Sequence, residues 1–416
     1  MLMTKKSGFT MKRNILVDSN QFEIELVDSI DQIFDSWSSV VPDHQLFMQS
    51  DYLKLLEECP PDGMRFRYVF VRKHQEIVGC LYFQIVHYNA FKSLNLDNDK
   101  ARKRNSWSGN VIHSSKEYVA KSLDFDGLIL GNLLTTGQNA FYFIPEFGLN
   151  EQIAITDECL HQVRSMLIEN GIRAKMAFIK DFPDDYFGEK FLQKTKCEEY
   201  YRLDAYPNMV LNLDPAWKSF DDYLNAFKSK YRVSIRKALN KITPVTKRLL
   251  HPDELPDYGD RMNALYRNIS DSASFNLFFL NSGYFSKLGQ DLQEAVSIYG
   301  YFLEGEMIAF YTVLHNEREL DAHFLGYDLE LNKKMQVYKN MLLDMVREAI
   351  VHRQPKIIFS RTAMEIKSSI GAIDEDMSCY IQHRNKLQNV LSAKFFDWLK
   401  PENDWIIRKP FKETAG

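Results

Sequence analysis

The chain has few cysteines, no long apolar run and almost no net charge. Its five cysteines (Cys59, Cys80, Cys159, Cys197 and Cys379) are scattered and include no CxxC pair. That argues against a zinc site and a disulfide framework, and the expected role of each cysteine is a small buried hydrophobe. A reducing cytoplasm is the simplest compartment. No stretch approaches 18 uninterrupted apolar residues, so a membrane-spanning helix is not expected. The first residues, MLMTKKSGFTMKRN, carry charge with no apolar run behind it, so no secretory signal is expected either. Lys+Arg 52 against Asp+Glu 56 leaves a net charge of −4, which argues against a protein that coats nucleic acid but allows a local basic site. At 45% hydrophobic and 26% charged, the composition is that of a globular chain, not of a disordered, collagenous or coiled-coil one.

What is present is aromatic surface, 13% of 416 residues, and length enough for two domains. Phe22–Val27 alternates as a strand, and Tyr52–Leu56 has helical spacing that stops at Pro60-Pro61. The segment RYVFVRKHQEIVGCLYFQIVHY reads as a hairpin with its tip at Arg72–Glu76. A polar stretch over 89–122, with KARKR at Lys100–Arg104, reads as a long loop or lid. A strand at Leu128–Leu130, a helix carrying Cys159, Val163, Met166 and Leu167 and ending at Gly171, and a strand at Ala174–Ile179 follow.

The second half repeats the order. IYGYFLEGEMIAFYTVL is a hairpin with Glu304-Gly305-Glu306 at its tip, followed by a strand at Glu319–Leu325. A helix with Val337, Met341, Leu342, Met345, Val346, Ala349 and Ile350 on one face stops at Pro355, before a strand at Lys356–Phe359. The two hairpins place the small residues Gly79 and Ala309 at matching points past the tip. A duplicated α/β unit accounts for this; coincidence between two hairpins is the alternative.

The segment Ser219–Lys241 reads as one helix with Phe220, Leu224, Phe227, Tyr231, Ile235 and Ala238 in a stripe, and Ser219 with Asp222 forms a capping pair. Between Lys228 and Arg248 there are many lysines and arginines and no acid. Such a surface suits a phosphate-rich partner such as tRNA, an anionic envelope precursor, or an anionic membrane surface; a solvated cationic face is the bland alternative.

The hairpin–strand–helix–strand order resembles the GNAT acyltransferase fold, and its duplication resembles the FemAB-like branch of bacterial proteins. The residues that carry the likeness lie mainly in the last hundred. They are Gly326 and Asp328 before the helix, Tyr338 in its first turn, the segment Arg361, Thr362, Ala363, Glu365 and Lys367, and FMQSDYLKLLEE in the first half. The resemblance implies a mixed α/β sheet class with tandem GNAT-like acyltransferase domains: a flexible tail over 1–14, an N-terminal domain over 15–208, and a C-terminal domain over 209–416 with the basic helix 219–241. It implies transfer of an acyl or aminoacyl group to an amine, by direct attack, in cell-envelope chemistry. Alternatives are a fold that kept binding and lost catalysis, and a membrane-peripheral enzyme acting on a lipid or polysaccharide precursor.

No tightly bound cofactor and no metal are expected; the resemblance implies acyl-CoA or aminoacyl-tRNA as the co-substrate. The glycine-rich phosphate loop of CoA-binding relatives is replaced by Leu331-Asn332-Lys333-Lys334-Met335-Gln336, where Lys333 and Lys334 are the candidates for phosphate contact. Asp321 and His323 share one face of a strand and are candidates for base and orienting partner, with Tyr338 as an acid and Glu365 as a base. Arg361, Lys367, Arg232, Arg236 and Lys237 are candidates for holding substrate. For each of these, an ordinary packed or solvated role is the competing reading.

Overall fold

The computed structural model describes residues 9–89, 124–183, 200–204, 206–272, 276–385, 389 and 405–412. Residues 1–8, the basic run Lys100–Arg104 with the loop around it, and Cys197 lie outside them.

The first unit opens with β1 (Thr10–Val17) and β2 (Asn20–Val27), continues through helices α1 (Phe34–Ser38) and α2 (Ser50–Glu58), and forms the hairpin β3 (Arg65–Lys73) and β4 (Glu76–Asn89). Strand β5 (Asp124–Leu130), β6 (Phe141–Phe143), helix α3 (Leu149–Glu169), β7 (Ala174–Pro183) and β8 (Tyr201–Asp204) complete its linear run. The expectation of a tail reaching residue 14 is corrected: from Thr10 the chain is a strand, and Ile15 and Val17 are buried in the core.

The second unit starts with β9 (Asn208–Asn212), α4 (Phe220–Ala226), α5 (Ser229–Lys241) and β10 (Thr246–Leu249). Helices α6 (Leu255–Ser270) and α7 (Tyr284–Asp291) precede the hairpin β11 (Val296–Leu303) and β12 (Glu306–His315). Then come β13 (Leu320–Tyr327), α8 (Leu329–Met335), α9 (Val337–Val351), β14 (Lys356–Ile358), α10 (Met364–Ser369), β15 (Ile373–Glu375) and β16 (Met377–His383).

Both sheets are mixed. Among the described residues the first has the order β1-β2-β3-β4-β5-β7-β16-β8, and the second β10-β11-β12-β13-β14-β9-β15. In each, an antiparallel meander meets one parallel partner reached through a crossover helix, β5 with β7 and β13 with β14. Each hairpin turns through two residues with positive φ (His74 and Gln75; Glu304 and Gly305), the backbone twist that two-residue hairpins require. Each also carries a register shift at the matching place, between Val71 and Arg72 opposite Gly79 and Ile77, and between Tyr301 and Phe302 opposite Ala309 and Met307. The small residues Gly79 and Ala309 therefore mark one shared bulge, and the duplication is structural.

Two departures from the sequence reading matter. The helix expected over 219–241 is two helices. Ser219 and Asp222 do form a capping box, with Ser219 Oγ accepting from Asp222 N (3.2 Å) and Asp222 Oδ2 accepting from Ser219 N (2.9 Å). But Phe227 and Lys228 are extended (ψ 145° and 144°), because Phe227 bridges Phe411 and Lys228 N donates to Pro410 O (2.9 Å). Strand pairing with a distant segment outweighs the local helical pattern. Second, β16 inserts between β7 and β8 of the first sheet, so a strand from beyond residue 209 completes the sheet of the first unit.

Among the described residues three apolar cores result. One lies under α3 and one under α9; the third is shared by both units and joins Trp37, Tyr52 and Tyr82 to Leu265, Tyr284 and Phe310. Cys59, Cys80, Cys159 and Cys379 are buried thiols. Among the described residues no group of three or more metal-ligating side chains forms, and no helix is long and apolar enough to cross a membrane.

Candidate active site

The parallel strands of the second unit part early. β13 pairs with β14 only at Leu320↔Ile357 and Asp321↔Ile358, although β13 runs on to Tyr327. In the first unit the matching strands stay joined from Asp126 to Leu130, so no equivalent gap opens there. β13 also bulges opposite Thr312, between the pairs Val313↔Ala322 and Tyr311↔Leu325. The buried Thr312 hydroxyl repairs the bulge: it donates to Phe324 O and accepts from Phe324 N, both at 2.9 Å.

Two motif residues have local reasons. A Cβ on Gly326 would lie 2.5 Å from Leu265 C and Tyr266 N, so glycine lets α6 lie directly on the strand. Asp328 caps α8, its Oδ1 accepting from Glu330 N (3.0 Å) and Leu331 N (2.9 Å). Gln336, left-handed at φ 54°, turns the chain from α8 into α9. Asn332 Oδ1 then accepts from Tyr338 N (2.9 Å), one of the amides that a helix start leaves unpaired.

At the foot of α9 lies a cavity of about 820 Å³. Asn332, Gln336, Tyr338 and Lys339 form one wall and Ala363–Ile366 with Ser369 the facing one; Tyr206, Trp405 and Arg408 complete the lining. Burial raises the Tyr338 hydroxyl above its ordinary pKa, so it is a neutral donor at neutral pH. Burial pushes Lys339 the other way, and its Nζ donates to Ser234 Oγ (3.0 Å). Glu365 is paired with Arg408, whose Nε donates to Oε1 at 3.1 Å.

Tyr338 and Glu365, expected as acid and base, thus face one cavity. Asp321 and His323 are elsewhere, on the side of β13 turned to the shared core. His323 Nε2 lies 2.7 Å from the Tyr284 hydroxyl, with its ring among those of Phe47, Tyr284 and Phe324. Burial pushes the imidazole down to about 3. Asp321 is buried with Oδ2 lacking a hydrogen-bond partner among the described residues; burial first, and the Glu319 charge second, hold its pKa well above the ordinary carboxylate value.

Two further expectations are corrected. Arg361 is engaged within the protein: it pairs with the buried Asp181 of β7, and its Nε donates to Tyr206 O (2.9 Å). Lys367 is also buried, its Nζ donating to Phe359 O (2.6 Å), Ser360 O (3.2 Å) and Arg361 O (2.8 Å). It holds together a loop in which Ser360, Thr362 and Ala363 all have positive φ. Lys333 pairs with Glu330 on the exposed face of α8 (2.7 Å), and neither it nor Lys334 lines the cavity. Arg232, Arg236 and Lys237 lie on α5 outside the cavity. Lys339, Trp405 and Arg408 escaped sequence reasoning. Lys339 directly follows the tyrosine singled out; Trp405 and Arg408 arrive from a distant segment with no local signal.

Two mixed sheets with matching bulges and matching crossovers define a tandem GNAT-like fold. The crystal structure of FemX has this fold: it matches with a TM-score of 0.53 at 12% identity, covering 88% of this chain and 99% of that chain. A tandem GNAT protein from the clavulanic acid biosynthesis pathway (without AcCoA) gives 0.46 at 8% identity, over 87% of this chain and 99% of its own. L-PGS from Bacillus licheniformis gives 0.44 at 12%, over 82% and 95%. No protein-family model matches the sequence, and no curated protein does either.

Proposed function

We propose that this chain is an acyltransferase moving an acyl or aminoacyl group to an amine acceptor, with its reaction centre in the second unit. The observation that carries this reading is the cavity at the foot of α9 that brings Tyr338 and Glu365 together, with Tyr338 packed 5.8 Å from the ring of Tyr327, the last residue of a β13 that β14 pairs no further than Asp321 among the described residues. Backbone N–H groups along such an edge are fixed donors for a carbonyl oxygen as it gains negative charge. The amine nitrogen attacks the acyl carbon, an N–C bond forms, and the C–O or C–S bond to the donor breaks. Tyr338 supplies the proton that the leaving group takes up, and Glu365 accepts the proton the amine gives up. Lys339 and Arg408 meet phosphate on the donor.

The donor is acyl-CoA or aminoacyl-tRNA, and the helix start favours the second. Asn332 already occupies the Tyr338 amide, and no glycine lets a pyrophosphate approach that backbone. The zipped β5–β7 pair leaves the first unit the supporting role of shaping the acceptor side. The test is equilibrium binding of acetyl-CoA and of charged tRNA, followed by single-turnover transfer to a panel of amines. Tyr338→Phe should slow transfer by at least ~100-fold with donor affinity nearly unchanged. A chain that binds neither donor is a binding protein with this fold, not an enzyme.

A further inference from the structure

The segment 405–412 is strapped to the second unit beside the cavity. Lys412 N donates to Ala226 O (2.9 Å), Lys228 N to Pro410 O (2.9 Å) and Arg408 N to Ser368 Oγ (3.1 Å). Phe411 anchors it, 4.7 Å from the Phe227 ring and over Gly371, where a Cβ would lie 2.3 Å from its ring. So held, the strap presents Ile406 and Ile407 to solvent, 58% and 48% exposed, between two residues that line the cavity.

The neighbouring α5 buries Ile235 and Ala238 and turns outward Val233, Arg236 and Lys237. Arg232, Arg236 and Lys237 have no ion-pair partner among the described residues, and the cations Lys409 and Lys412 continue the field on the strap. No aspartate or glutamate occurs in 228–248 or in 405–412. The result is a run of cations on α5 and the strap, with two adjacent exposed isoleucines on that same strap.

We propose that this face docks on an anionic lipid bilayer, with Ile406 and Ile407 inserted below the headgroups and the cations of α5 and the strap on lipid phosphates. A nucleic acid would satisfy the cations but offer nothing to a pair of aliphatic side chains, since its gains come from phosphate contacts and ring stacking. A bilayer supplies both an apolar phase and a negative surface potential. Docking sets the cavity at the lipid surface; that its acceptor is then an amine carried by a membrane-borne molecule rests on the acyltransferase reading, whereas the docking itself does not.

The experiment is co-sedimentation of the full chain with vesicles of phosphatidylcholine alone and with about one third phosphatidylglycerol, at low and high salt. Partitioning should be at least ~10-fold stronger on the anionic vesicles at low salt. It should fall ~10-fold in Arg232→Glu/Arg236→Glu, and again ~10-fold in Ile406→Ser/Ile407→Ser, which are exposed changes that leave the circular dichroism and melting unaltered. Equal partitioning onto both vesicles, none onto either, or anionic binding untouched by the serine pair overturns the proposal. So does tRNA binding lost in the glutamate variant without any vesicle binding, which assigns the surface to nucleic acid. Donor binding measured on the same samples separates this failure from failure of the acyltransferase reading.

Discussion

Replacing Asp181 with asparagine removes the one carboxylate from a buried site that holds two cations. Asp181 is fully buried on β7 and pairs with Lys180 and with Arg361 of the opposite unit. Its oxygens also accept from Gly137 N (3.2 Å) and Cys379 Sγ (3.3 Å). Burial alone would raise its pKa, but the two cations outweigh that and hold it below the ordinary aspartate range. The amide side chain keeps the shape of the carboxylate, and asparagine tolerates the left-handed φ of 59° at this position, so Asp181→Asn isolates the charge. Lys180 is itself buried and would keep only neutral acceptors, Thr135 O (2.6 Å) among them. Stranding a buried charge costs about 3–5 kcal/mol. Arg361→Gln should cost less, roughly 1–3 kcal/mol, because Lys180 still neutralises Asp181 and the Arg361 side chain is 22% exposed. Pairing Asp181→Asn with Lys180→Met should lose less than the sum of the two singles, since neither partner is then stranded. Urea unfolding followed by circular dichroism, compared at equal m, measures all three. The sign of the pH effect follows from the depressed folded-state pKa: the stabilisation is complete above the unfolded value near ~4 and is lost as pH falls through the folded value. The gap between wild type and Asp181→Asn should therefore narrow only below about pH 4. A loss under about 1 kcal/mol, or a gap that does not narrow in acid, refutes the clasp as described.

Gly326→Ala should destabilise by about 1–3 kcal/mol, because the methyl group must push α6 off the strand; a melting curve that superimposes on wild type rejects this packing. His323, pushed down to about 3, should stay neutral across pH 5–8, with ring proton shifts flat over that range. Its folded pKa lies below the unfolded value near ~6.5, so its effect on stability is absent above that value and destabilises increasingly as pH falls toward 3. A titration near ~6.5 would mean that the imidazole is hydrated and not packed against Tyr284.

Local pattern carried the elements well where burial follows a simple period. The hairpins, the helix with Val337 to Ile350 on one face, and the Ser219–Asp222 cap all form as their spacing indicates. The same reasoning ran through Phe227 and Lys228, where helical spacing is intact but the backbone is taken by the strap. Motif residues were legible as positions and less so as roles. Tyr338 and Glu365 reach the cavity, whereas Arg361 and Lys367, equally prominent in the motif, hold the loop to the first unit and to itself.

What the amino-acid order determined by itself was the unit and its repetition, since period, turn residues and the small residue at each bulge are local facts. The tertiary structure alone decided that β16 returns to the first sheet, that Asp181 neutralises a cation from the other unit, and that a strap more than a hundred residues from α5 walls the cavity. Strand pairing and ion pairing across such separations depend on which surfaces meet after folding. Neither leaves a periodic trace in the segments that take part.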